Sequence, residues 1–500
     1  MTIAPYGAAA FSGWRALESF GSFKADLADL QGQLSSGKAS TTYSGLGAGG
    51  AGASLALRTR MTTLDNYAAG IADGQVRLKL MDTGVGQIAK LASGLSTSLA
   101  AAASETPVGA TNVAASAKSA FQTIVDTLNT DLGGRYLFSG RAADKEPVAS
   151  GSLMMDGDAN RAGLKTLIAQ RKAADVGAGN SGRLAFGVTG TTVTLAEEAA
   201  GLPFGLKIAT ASATGTGVTA SVAAGPPPAA AVAVAAQPAT GDTVSIGLTL
   251  PDGTTKTIKL IAGGAATTGQ TSFAVGATTA DTATNIRAAL ATAIGEIAVA
   301  DLSAASAMKA ASDFFSATAA NPPPRVAGPP YDTATTLVAG TAANTAIWYA
   351  GDSTASPRDT APVKIGDGRV IGIGAQANEP AFQAVLASVA ALAADSFDAS
   401  DPNALKRYAA LSAAIATRMN KPGAQTVSDI ATDLSIAGAA MGSAAGDLKI
   451  TRAQADDSLA DIENADPNEA AMKLLATQTR LQASYQATSV LQKLSLVNYL

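Results

Sequence analysis

The sequence predicts an α+β fold: both chain ends build one discontinuous α-helical core, of coiled-coil or bundle type, and a central β-rich domain carries a small α+β insertion. Three observations predict it. Apolar residues recur at helical spacing near both ends of the 500 residues. From about Met154 onward the pattern changes to short runs alternating at period two. Two Pro-rich stretches, 225–241 and 321–332, read as extended linkers that bracket a segment with its own strand and helix signals.

Each element follows from its own residues. Phe20, Phe23, Leu27, Leu30 and Leu34 step by three and four, one stripe of a helix that should end at Gly37. The Gly-rich "SGLGAGGAG" reads as a flexible connection. Beyond it, every seventh residue is Leu57, Leu64, Ile71, Leu78, Val85, Ala92 and Leu99, which predicts a long helix. At roughly 45 to 50 residues it would run about 70 Å, more than one compact domain can wrap. A third helix should carry Phe121, Ile124, Leu128 and Leu132 and stop at Gly133 and Gly134. In the middle, "RLAFGVTGTTVTLAEE" and "FGLKIATA" read as strands, and "DTVSIGLTLPDGTTKTIKLI" as a hairpin turning at Pro251, Asp252 and Gly253. Ile286, Leu290 and Ile294 predict a helix packed on that hairpin. Asp401 and Pro402 read as the cap and first turn of a helix through Leu405, Leu411 and Ile415. "DPNE" at Asp466–Glu469 opens the last helix, with Leu474, Leu481, Tyr485, Leu491 and Leu494 on or near one face. The expected division is residues 1–150 and 375–500 for the helical core, 151–215 and 336–374 for the β-rich domain, and 216–335 for the inserted outer module.

Composition excludes several functions. Charged residues make up 15% of the chain, against roughly 25% in an ordinary soluble protein, so the surface is weakly charged. With 35 basic and 39 acidic residues there is no long-range pull on a polyanion, and nucleic acid is not an expected partner. Cysteine and histidine are both absent, which removes thiol nucleophiles, disulfides, thiolate or imidazole metal ligands and the commonest general base. The first twenty residues lack a basic start followed by an apolar run, so no cleaved secretory signal is expected. Membrane insertion is not expected either, because no run of 18 apolar residues escapes Pro, Gly or charge.

Two nucleotide-like motifs are accidents of composition. "GQLSSGKA", Gly32 to Ala39, is a phosphate-binding loop lacking its final hydroxyl, yet it continues the stripe of the first helix instead of following a strand. The G-x-G-x-x-G matches from Gly45 and Gly47 also lack a preceding strand. Asp456, Asp457 and Asp461 read as a solvated helix face, not a metal site. No catalytic, metal or cofactor residue is proposed. The candidate functional residues are the apolar stripes themselves, which either pack within one chain or wait for other subunits. As a subunit interface they comprise Phe20, Phe23, Leu27, Leu30, Leu34, Leu474, Leu481, Tyr485, Leu491 and Leu494.

"LQGQLSSGKASTTYSGLGAGGAGASLALRTRMTTLDNYAAGIADGQVRLKLMDTGVGQI" and "IENADPNEAAMKLLATQTRLQASYQATSVLQKLSLVNYL" resemble the N- and C-terminal helical signatures of the flagellin family. Within it, "GGRYLFSGRAADKEPV" at Gly133 to Val148 resembles the hook-associated branch, as do "WYAGDSTASPR" and "GAQANEPAFQAVLASVAALA". The resemblance implies a structural, non-enzymatic flagellar subunit, exported unfolded by the flagellar type III apparatus to the cell exterior. It implies terminal segments that are disordered in the monomer and become coiled coil on assembly. It also implies partners: copies of itself in a ring or short helical assembly, the first hook-associated protein on one side, flagellin on the other, and an export chaperone. A filament flagellin is the alternative within the family. An exported adhesin or glycan-binding module is the alternative outside it, weakened because 241–315 holds only Phe273, Phe314 and Phe315 as aromatics.

Overall fold

The computed structural model describes the backbone of residues 7–101 and 106–497, and the side chains of 18–101 and 106–490. In chain order the helical elements begin with α1 (Gly7–Ser36), α2 (Gly47–Ala101) and α3 (Pro107–Leu128). A short hairpin of β1 (Asp131–Leu132) and β2 (Arg135–Tyr136) precedes α4 (Gly151–Asp156) and α5 (Leu164–Val176). The central strands are β3 (Leu184–Thr189), β4 (Thr192–Glu197), β5 (Lys207–Ala213), β6 (Val218–Ala223), β7 (Ala229–Val234), β8 (Thr243–Thr249), β9 (Thr255–Ala262) and β10 (Gln270–Phe273). They are followed by α6 (Thr279–Ile297), α7 (Ser303–Ser316), β11 (Arg325–Val326), β12 (Leu337–Val338), β13 (Pro362–Gly366) and β14 (Arg369–Gly372). The chain closes with α8 (Pro380–Ala394), α9 (Ala404–Met419), α10 (Val427–Glu463) and α11 (Pro467–Val497). Helices from both chain ends thus flank a central β-rich region.

Two compact units share these elements. One holds the described residues up to Gly74, Val363–Ile371, and those from Ala439 on; the other holds Gln75–Pro362 and Gly372–Gly438. In the first, α2 and α10 run antiparallel. A Cβ on Gly50 would sit 3.7 Å from Ile462, and one on Gly74 would sit 3.3 Å from the Met441 sulfur. Leu64, Ile71 and Met441 form the buried seam. The seventh-residue stripe of α2 is the buried one, since Leu64, Ile71, Leu78, Val85, Ala92 and Leu99 are all buried.

In the second unit, β3, β4, β7 and β6 form an antiparallel sheet in the order β3-β4-β7-β6. A second sheet has the order β10-β9-β8-β5, with β10 parallel to β9. Leu195, Val232, Ile246 and Leu260 from both sheets share one core with Ile286, Leu290 and Ile294 of α6. The hairpin turns at Gly253 with φ +85°, as its sequence requires. Thr278 and Asp281 form a full capping box that starts α6. Thr279–Ser316 is long and apolar enough to cross a membrane by composition, but Ile286, Leu290, Phe314 and Phe315 in it are fully buried core.

Four local expectations differ from the structure. The Gly-rich stretch is not a flexible connection: Gly45 lies in a 3-10 turn at Tyr43–Leu46, Gly47, at φ +72°, leads out of it, and Gly49, Gly50 and Gly52 form the first turns of α2. A residue larger than Gly at position 50 would press on Leu46, 3.3 Å away. The third helix ends at Leu128, and Leu132 lies in β1. Gly133 and Gly134, at φ +61° and +77°, make the two-residue hairpin turn instead of a helix stop. Helix α9 starts at Ala404, with the Asp401 carboxylate accepting from the Asn403 amide at 2.8 Å. Residues 225–228 connect β6 to β7, and pairing of β4 with β7 and of β5 with β8 draws strands from both sides of the 215/216 boundary into one core.

Candidate functional site: the terminal helix pair

The first unit carries the residues singled out in the sequence. Helix α1 stops at Gly37, whose φ of +68° suits glycine and whose amide donates to the Gln33 carbonyl at 2.8 Å. The Ser36 hydroxyl donates to the Gly32 carbonyl at 2.6 Å, so the phosphate-loop look-alike is the last turn of a helix. Helix α11 starts at Pro467, with the Asp466 carboxylate accepting from the Asn468 amide at 2.8 Å. The two helices pack antiparallel, and Phe20 stacks on Tyr485 with ring centroids 5.1 Å apart.

The stripes meet each other only in part. Phe20, Phe23, Leu27, Leu30, Leu474 and Leu481 are half-buried. Leu34 stays 44% exposed and Tyr485 60% exposed. Leu491 and Leu494 lie outside the described side chains. No described side chain of α1 is fully buried, and in α11 only Ala470 is. Helices this long gain little from propensity alone and need packing on an apolar face. The stripe is therefore partly covered by the sister helix of its own chain, and the rest of it is open to solvent in the single chain.

A second face of α11 was not singled out in the sequence. At about 100° per residue, Leu474, Leu481 and Tyr485 fall within about 40° of one another. Met472 and Val490 point to the opposite side, with Leu475 about 60° from them. These three are 65%, 54% and 63% exposed. A helix that is apolar on two faces has one for its partner in the chain and one to spare. The signal was present in the adjacent pair Leu474 and Leu475, which cannot share a face. Replacing Met472 and Leu475 together by Ser should leave the unfolding free energy of the isolated chain within about 0.5 kcal/mol. Assembly, measured by sedimentation of polymer, should be lost, whereas Leu27→Ala should loosen the α1–α11 pair itself.

In the second unit, three separate sequence segments converge. The Phe138 carbonyl accepts from the Ala377 amide at 2.8 Å, and the Ser139 carbonyl from the Asp352 amide at 3.0 Å. Ala149 and Ala350 extend the match, donating to the Trp348 and Pro147 carbonyls at 2.8 Å each. Phe138 is fully buried and meets Phe382 edge-on at 6.0 Å. Glu379 is buried at the start of α8 and accepts from Arg358, Gln425 and the Gln376 amide. Burial pushes its pKa up, and Arg358 opposes that shift.

Long, incompletely covered helices come from both chain ends, with a β-rich region between them in the sequence. Residues 13–143 match the bacterial flagellin N-terminal helical region, and residues 423–500 match the bacterial flagellin C-terminal helical region. The two ends of the chain thus match the helical regions of the flagellin superfamily, a structural and non-enzymatic group whose members are exported to the extracellular flagellum and self-assemble there. Comparison with curated proteins finds no match.

Proposed function

We propose that the chain is the subunit of the hook-filament junction, placed between the first hook-associated protein and the flagellin filament. The observation that carries this reading is the convergence just described. "GGRYLFSGRAADKEPV", "WYAGDSTASPR" and "GAQANEPAFQAVLASVAALA" each resemble the hook-associated branch, and the first is hydrogen-bonded to the other two, Ser139 to Asp352, Pro147 to Ala350 and Phe138 to Ala377. The chain leaves the cell by flagellar export, with a chaperone covering its terminal helices, and forms a ring or short helical assembly. Its terminal stripes pack against both neighbours along the axis. The role is mechanical, and it requires no bound cofactor.

Antibody labelling of whole flagella tests it. A junction subunit gives one band at the distal end of the hook, and deletion of its gene leaves bare hooks with flagellin in the medium. Label along the whole filament would make it a filament flagellin and overturn the proposal.

A further inference from the structure

Within the first unit, two connecting straps cross beside the start of α2. One joins α1 to α2 (residues 37–46), and the other joins α10 to α11 (residues 464–466). They are paired by backbone: the Ala39 amide donates to the Glu463 carbonyl at 2.7 Å, and the Ala465 amide donates to the Gly37 carbonyl at 2.9 Å. The Gln33 side chain adds a bond to the Ala39 carbonyl at 3.0 Å. Two short straps with so few bonds do not by themselves hold two long helices at a fixed angle.

The Glu463 side chain supplies what the straps lack. Its Oε1 accepts from the Ser54 hydroxyl at 2.5 Å and from Arg58 Nε at 3.0 Å, and its Oε2 accepts from Arg58 Nη2 at 2.7 Å. This is a forked arginine–carboxylate pair, which fixes direction as well as distance. Ser54 is fully buried beneath it. Beside the pair, α2 meets α10 at Gly50, where a Cβ would lie in ordinary contact with Ile462 at 3.7 Å. The last residue of α10 is thereby tied by backbone to the α1 strap and by side chain to α2.

We propose that Glu463 is a positioning residue that locks the paired straps onto α2, so that α1 and α11 are presented to neighbouring subunits as one oriented pair. The inference rests on the chain being a polymer subunit and does not depend on its place along the flagellum. The groups facing the carboxylate are Arg58 and Ser54 from α2 and Lys38 from the strap, with Tyr43 beside Arg58. The hydrogen bonds from Arg58 and Ser54 hold its pKa down at about 2. A lowered carboxyl pKa stabilises the folded state above the ordinary glutamate value of about 4.3, and that contribution is lost as pH falls through about 2. The lock therefore stays closed throughout the neutral range.

Glu463→Gln and Arg58→Met, each in the full chain, test this. Amide exchange at Ala39 and Ala465 should quicken about tenfold in either variant, with no change at Ile71 in the buried seam. Between about pH 4 and 2 the wild type should lose strap protection, and Glu463→Gln should show no such step. In cells, total export should be unchanged while the fraction retained on flagella falls about tenfold. Wild-type protection of Ala39 and Ala465 in the variants, or wild-type retention despite faster exchange, overturns the inference. Faster exchange at Ile71 as well would make Glu463 a general stability residue and overturn it too. The junction reading fails by a different measurement, the location of the wild-type label.

Discussion

Phe315→Ala should lower the unfolding free energy by about 3–5 kcal/mol, the range for removing a large aromatic from a closed core. Phe315 is fully buried on α7 and sits at the centre of an aromatic cluster. Its ring meets Phe314 at 5.1 Å, Trp348 at 5.4 Å and Phe121 at 6.3 Å, all edge-on. Edge-to-face pairs add about 0.5–1.5 kcal/mol each beyond the buried area, so the upper half of the range is expected. The surroundings resist collapse, because Trp348 is anchored by its indole N–H donating to the Ala317 carbonyl at 3.0 Å. A denaturant titration reads the change, and Phe315→Leu, which keeps most of the volume, should lose less. A loss under about 1 kcal/mol would mean that the site closes over the gap. The placement bears on function: Phe121 belongs to the N-terminal segment matched to flagellins, whereas Phe315 and Trp348 belong to the unmatched middle. The ring is thus one of the points where the second unit's central region grips its flagellin-like helices. Amide protection of α3 should fall along with that of α7.

Long periodic signals were the most legible part of the sequence. The seventh-residue run from Leu64 to Leu99 is buried as its spacing required, because a stripe repeated over so many turns leaves only one side for a partner. The helix start at Asp466 and the stop at Gly37 were equally readable from local chemistry, whereas the capping box at Thr278 and Asp281 was not singled out. What escaped depended on distant residues. The glycines of 47–52 are helical, with Gly50 against Ile462 of α10, and Gly133–Gly134 turn a hairpin because β1 and β2 pair on either side. The terminal stripes were legible as helix faces, but their partial coverage by the sister helix and the second face at Met472, Leu475 and Val490 were not, since a stripe does not state what lies against it. Glu463 was not singled out in the sequence. Only the approach of Ser54 and Arg58, some four hundred residues away in the chain, gives it a role.

Asp175→Ala should be comparably severe, at about 3–5 kcal/mol, for an electrostatic reason. Arg171 and Asp175 are one turn apart on α5 and would pass in the sequence for an exposed helix pair, worth about 0.3–0.5 kcal/mol. Tertiary structure changes that. The Asp175 side chain is fully buried and that of Arg171 is only 7% exposed, with Nε 2.7 Å from the carboxylate. The Gly205 amide and the Ser306 hydroxyl donate to the same carboxylate at 2.9 and 2.8 Å, while Arg171 also donates to the Pro203 carbonyl at 3.1 Å and lies over the Phe204 ring. Removing the carboxylate leaves a guanidinium with nothing to neutralise it and the buried Gly205 amide without its acceptor, whereas the Ser306 hydroxyl keeps the Leu302 carbonyl at 2.7 Å. Removing both charges at once removes the problem, so the pair of substitutions Arg171→Met and Asp175→Leu should destabilise less than Asp175→Ala alone. A double-mutant cycle by chemical unfolding separates the terms. Additive losses would show that the two side chains act independently, and the cluster would then be a set of separate hydrogen bonds instead of one neutralised pair holding α5, the 203–206 loop and α7 together.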